Sequence, residues 1–361
     1  PLRHDGQWRE YDVRFSVAGR LTHLRIDPGT APGEFEIDWI RLDHEELHPL
    51  TIEDINVSGN RVWFSVRNND STSVEFMESN RRYNLDGHGS LQIDQPLSKN
   101  QPLEAISLEL KTEGWPTVRR RIFVHHPSVE TDWIDRPLGE YTLRVASDGS
   151  VARVERQGEL ISVIGPLVNE EDAALPHLKL ASRETALRFQ GDGISLVVST
   201  AGNEVSISVA SQRPCTGPVV RHSGSLEQGL LAGLEYLGRG ERSSSTLDVE
   251  TDEHLRFAPD PLDVTMPLMT YVTDRATVAM TWDDTNLQPL FATPNFFDSA
   301  NDHYMALKGT NIDVTIRVDR APVEETIAWA VKRRGLPPLP DSPRSVEQQW
   351  DLCMQALNGP L

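Results

Sequence analysis

Apolar and polar positions alternate along most of the chain, and this alternation predicts strands almost throughout. Trp8-Arg9-Glu10-Tyr11-Asp12-Val13-Arg14-Phe15 alternates, and so does Phe35–Leu42. In the second run Phe35, Ile37, Trp39 and Arg41 share one face, while Glu36, Asp38, Ile40 and Leu42 share the other. Apolar residues on both faces predict a central strand, with Trp39 in a core. Leu21–Ile26 supplies the other arm of a hairpin across a Pro- and Gly-rich turn. Trp8, near Gly6, is expected to be exposed.

From residue 49 to 127 the runs shorten and recur evenly: Ile52–Val57, Arg61–Asn68, Ser73–Met77, Gly89–Ile93, Ala105–Leu110 and Thr117–His125. Asn-, Asp- and Gly-rich turns such as Ser58-Gly59-Asn60 and Asn68-Asn69-Asp70 separate them. This spacing predicts an immunoglobulin-like sandwich without the disulfide of antibody domains. Pro127 to Leu138 reads as a connector. Beyond it come Tyr141–Ala146, Val151–Arg156, Leu160–Ile164, Ala186–Gln190, Gly193–Ser199, Glu204–Ala210, Val264–Val272, Ala276–Trp282 and Ile312–Val318. These predict a large two-sheet antiparallel domain.

The period then changes. Pro322 to Gly335 reads as a helix, with Pro at its start, acids in the first turn, bases in the last and Gly as its stop. A Pro-rich joint follows at Leu336–Pro340. Ser342 or Ser345 caps a second helix through Leu357, with Val346, Trp350, Cys353 or Met354, and Leu357 as its apolar stripe. The expected fold is mainly β. It divides into a partial sandwich at 1–48, an immunoglobulin-like sandwich at 49–127, a large sandwich at 128–321 and a helical segment at 322–361. A hairpin rarely folds alone, and the last helix has no predicted partner, so the chain reads as an internal slice of a larger protein.

Bulk properties narrow the function classes. The 361 residues carry 35 Lys and Arg against 54 Asp and Glu, a net charge of -19. That excludes a phosphate-tracking, nucleic-acid-binding surface and disfavours acidic polymers as partners. The bland reading of the charge is solubility. The two cysteines, Cys215 and Cys353, build neither a disulfide framework nor a zinc site. No apolar run approaches the length of a membrane span.

Three stretches of the first unit, Trp8–Tyr11, Leu24–Pro28 and Glu36–Ile40, resemble the closing strands of a galactose-binding-like jelly roll. In the large unit, Gly233–Leu237, Gly240–Ser245 and Met280–Asp284 resemble the galactose-mutarotase-like supersandwich. That domain precedes an (α/α) toroid in several glycoside hydrolase, phosphorylase and polysaccharide lyase families. The resemblance implies a secreted or cell-surface bacterial protein acting on a polysaccharide or oligosaccharide. It also implies that acid and base come from the toroid, so that this chain would lack turnover of its own. A structural Ca²⁺ in the first unit is a further implication, with Asp5, Asp27 and Asp38 as candidate ligands, although calcium needs six to eight oxygens.

Glycoside hydrolysis requires two carboxylates across a scissile bond, and Glu235, Glu241 and Asp283 are the candidates. The competing reading pairs Glu241 with Arg242 and puts Asp283-Asp284 in a turn before Thr285-Asn286. His254, Asp283 and His303 form a weak metal or acid–base set, and the adjacent His125 and His126 point to opposite faces. For sugar binding, Trp282 with Asp283, Gln288 and Asn295 is the favoured constellation, followed by Phe296 and Phe297. A core Trp282 is the alternative. Three functions stay open: a non-catalytic glycan-binding scaffold, a complete hydrolase or lyase working in the large cleft, and a surface or assembly spacer. Homo-oligomerisation stays open too.

Overall fold

The computed structural model describes Trp8, residues 36–41, 48–58, 60–98, 102–126, 129, 131–165, 168–169, 175–243, 261–294, 302–335 and 344–358. The protein is a mainly β, multi-domain sandwich with a short C-terminal helical segment. Asp5, Asp27, His254 and Asn295 fall outside the described residues, as does most of the N-terminal hairpin.

The small sandwich comprises β1 (Leu50–Ser58), β2 (Arg61–Asn68), β3 (Val74–Glu78), β4 (Arg81–Leu85), β5 (Ser90–Pro96), β6 (Leu103–Thr112) and β7 (Val118–His125). One sheet is ordered β1-β2-β5 and the other β4-β3-β6-β7. Val62, Phe64 and Val66 of β2 alternate inward to meet Phe76, Leu108, Leu110 and Ile122 in one core. The turn after β2 is tied by buried Asn68. Its amide donates to the carbonyls of Thr72, Leu85 and Asp86, and its own oxygen accepts the Asp70 N–H.

The large unit runs β8 (Trp133–Leu138), β9 (Tyr141–Ala146), β10 (Ala152–Arg156), β11 (Glu159–Ile164), β12 (Val168–Asn169), β13 (Lys179–Ser182), β14 (Leu187–Gly191), β15 (Ile194–Ala201), β16 (Glu204–Thr216), β17 (Val220–Ser223), β18 (Leu226–Leu231) and β19 (Glu235–Leu237). It continues with β20 (Leu268–Thr273), β21 (Thr277–Trp282), β22 (Gln288–Ala292) and β23 (Asp302–Asp319). The organiser is β23. Its first half pairs with β17 and β22, and its second half with β16 and β21. Four antiparallel partners on one strand join the layers around a core that includes Leu143, Phe189, Tyr271, Trp282 and Phe291.

Two expectations are corrected. The supposed connector ends in strand β8, which pairs with β9. Residues 36–41 form no strand, and Ile37, Trp39 and Ile40 are 51%, 55% and 57% exposed. Alternating apolar residues stay wet where no strand of the described residues pairs with them. Trp8 is exposed as expected.

Helix α1 (Val323–Arg334) begins after Pro322 and stops at Gly335, whose φ of 77° suits glycine. Val323, Trp329 and Ala330 pack on Leu230, Ala232, Leu268 and Ala279. Glu204 accepts the Trp329 indole N–H and an Arg333 N–H, each at 2.7 Å. Helix α2 (Val346–Asn358) is capped by Ser345. The Ser345 hydroxyl accepts the Gln348 N–H, and the Gln348 side chain accepts the Ser345 N–H. Trp350, Leu352 and Met354 of α2 are exposed.

One buried arginine joins the small and large sandwiches. Arg153 of β10 donates to His125 Nε2 at 2.9 Å and to the carbonyls of His126 and Val129. Its guanidinium also lies 4.3 Å from the Trp133 ring centroid. Arg153→Met strands these buried acceptors, at an expected cost of about 2 kcal/mol. Urea unfolding of variant and parent checks this. An unchanged midpoint would show that the joint contributes nothing.

Candidate functional site

A buried polar group lies where β17 meets β23. His222 sits directly opposite His303 in the register, and their rings are 6.4 Å apart. His222 is completely buried. Its Nδ1 lies 2.8 Å from the Ser162 hydroxyl, and its Nε2 meets the Ala276 carbonyl at 3.0 Å and Thr273 Oγ1 at 2.9 Å. Burial is the main force on this ring and pushes it down to about 4, with a smaller push from His303. His303 Nε2 meets the Gly224 carbonyl at 3.1 Å, so as the neutral ring it donates there and its Nδ1 accepts the Thr293 hydroxyl at 2.6 Å. Burial lowers His303 too.

Tyr271 completes the group, stacked on Phe291 with centroids 4.6 Å apart. Its hydroxyl donates to the carbonyls of Ala292 and Tyr304. Burial raises this phenol well above its ordinary value, and the nearby carboxylates of Glu235 and Asp302 add to the rise. Both ring nitrogens of each histidine are occupied, and both rings are out of reach of solvent. The cluster therefore stitches β11, β17, β20 and β23 together and offers no exchangeable proton to a ligand.

The carboxylates singled out in the sequence serve separate structural duties. Glu241 accepts the Gly238 N–H at 2.6 Å and closes the turn between them. Asp283 accepts from Arg334 through its carboxylate and its carbonyl, both at 2.9 Å, which ties the end of α1 to β21. Asp284 accepts the backbone and side-chain N–H groups of Asn286, in the expected turn. Glu235 is buried on β19.

Of the favoured sugar-binding constellation, Asn295 lies outside the described residues and Trp282 does not offer a ring face. Trp282 is 2% exposed within the large core, so neither ring face is open to a sugar. Gln288 is half-buried and donates to the Pro289 carbonyl. His303 is buried while Asp283 is exposed, and His254, the third member of the metal or acid–base set, lies outside the described residues. Asp38 is exposed, and among the described residues no group of His, Cys, Asp or Glu is arranged to hold a metal. His125 and His126 engage different partners, Arg153 and Glu104. Among the described residues no helix is long and apolar enough to cross a membrane.

The outer face carries a different feature. Among the described residues β19 pairs only with β18. Glu235 and Leu237 share the face of Leu231 and Gly229, and Leu237 packs within 3.3 Å of the position a Cβ on Gly229 would take. Tyr236 points the other way and is 69% exposed.

No family model and no curated protein sequence matches the chain. Among solved structures it is similar to the α-N-acetylgalactosaminidase NagBb from Bifidobacterium bifidum, at 12% identity and a TM-score of 0.42. That match covers 56% of this chain and 39% of the enzyme, so the chain spans about two fifths of the enzyme's length. It is also similar to the protein HI1317, at 7% identity and a TM-score of 0.33, over 61% of this chain and 100% of that one. The cycloalternan-forming enzyme from Listeria monocytogenes matches at 8% identity and a TM-score of 0.20, over 76% of this chain and 30% of the enzyme.

Proposed function

We propose that the chain is the glycan-binding and scaffolding part of a polysaccharide-acting protein and performs no turnover itself. The observation that carries this reading is the fate of the candidate carboxylates. Glu241 closes a turn, Asp283 anchors a helix and Glu235 is buried, so each of the three is engaged in holding the fold. Two rigid joints support the scaffold half. Arg153 locks the small sandwich to the large one, and Glu204 with Asp283 locks α1 to the large sheet. The sequence stretches at 233–245 and 280–284 support the carbohydrate half through their resemblance to a supersandwich. An extracellular or cell-surface setting goes with that resemblance.

The test is a glycan array probed with the purified chain. Retention on one or more neutral glycans is the expected result. An array without retention would remove the carbohydrate half of the reading and favour a mechanical spacer.

A further inference from the structure

We propose that the β18–β19 hairpin is a preformed stacking platform for a pyranose ring of a neutral glycan, with Tyr236 as its surface. This rests on the carbohydrate-binding reading and gives that reading a location.

Three features make the hairpin a built surface. Tyr236 is exposed yet fixed, because its hydroxyl accepts the Gly233 N–H at 3.1 Å. Gly233 reaches that position only as glycine. Its φ is +99°, and an added Cβ would lie 2.8 Å from the Asp263 carbonyl oxygen and 2.8 Å from a Thr265 methyl. Below the ring, Leu237 seats the strand against Gly229, and beyond it Glu241 closes the turn at Gly238. An aromatic ring held in one orientation before binding loses little rotamer freedom when a ligand arrives.

The chemistry around the ring selects the ligand. A pyranose presents apolar C–H groups on one face and hydroxyls at its rim. The Tyr236 ring suits the first. The rim hydroxyls keep their water, because the ring is 69% exposed. An anionic polymer meets a chain carrying a net charge of -19, so a neutral glycan is favoured over a uronate. The buried Glu235 faces away from this surface, so the platform binds without an adjacent acid from β19.

The test is calorimetric titration of the chain with maltohexaose, cellohexaose, mannohexaose and oligogalacturonate. At least one neutral hexasaccharide is expected to bind, and oligogalacturonate is not. Tyr236→Ala is expected to weaken that binding about tenfold or more, while Tyr236→Phe, which keeps the ring but loses the hydroxyl that orients it, is expected to bind more weakly than the parent and more tightly than Tyr236→Ala. Both variants should melt with the parent, since the side chain is exposed. Equal binding by parent and Tyr236→Ala would overturn the platform and leave the carbohydrate reading standing. Binding of oligogalacturonate alone would overturn the choice of a neutral ligand. Failure of the parent chain to bind any of the four would overturn the platform together with the carbohydrate reading.

Discussion

Trp282→Ala lowers stability by about 4 kcal/mol, and below its melting temperature the variant binds glycan as the parent does. Strand β21 is buried along its whole length between β20 and β23, and Trp282 ends it inside the large core with Tyr271, Met280 and Phe291. Truncation removes the largest fully buried side chain among the described residues and leaves a cavity that the flanking strands cannot close without shifting their registers. Urea unfolding gives the stability change, and titration at low temperature gives the binding. A variant as stable as the parent but unable to bind would return Trp282 to the ligand site.

The second large effect is acid destabilisation beginning near neutrality. His222 has an ordinary value of 6.5 when unfolded and about 4 when folded. Above pH 6.5 both states hold it neutral, and its contribution is complete. Between pH 6.5 and about 4 the unfolded state takes up a proton that the native state refuses, so stability falls as pH falls. Below about 4 the loss levels off. The gap between the folded and unfolded values corresponds to about 3 kcal/mol. His125 adds to the loss over a wider window, from 6.5 down to about 3, because burial and the neighbouring Arg153 cation both oppose its charge. Carboxylates titrate in the lower part of this range, so the comparison must be made against His222→Gln. That variant should show a shallower decline between pH 6.5 and 4, by about 3 kcal/mol. Parallel curves for parent and variant would mean that the ring is protonated in the folded protein.

What the sequence discloses follows from which residues alternate. β2 and β9 match the expected Arg61–Asn68 and Tyr141–Ala146, because one face is buried and the other is not. β4 escapes, since Arg81, Arg82 and Asn84 leave only Tyr83 and Leu85 as its apolar signal. β23 is legible only over Ile312–Val318. Its first half, His303 to Leu307, is buried without alternation because β17 and β22 flank it there. Trp282 misleads for the same reason. The Asp-Asp pair that follows suggests a wet strand end, while Thr277–Trp282 is buried on both faces. The histidine pair lies far apart in sequence and is made by the β17–β23 register, so local pattern cannot show it. Tyr236 had a legible clue, an aromatic between Gly233 and Gly238, but its exposure shows only in the fold, where it stands on the face of β19 opposite Glu235 and Leu237.

The most direct test of the account is to hold the purified chain with a neutral glycan that it binds and to follow release of new reducing ends and unsaturated products over days. The account predicts a bound glycan recovered at its original length. Shortened glycan, lost on substitution of Glu235, Glu241 or Asp283, would contradict it and make this chain an enzyme in its own right.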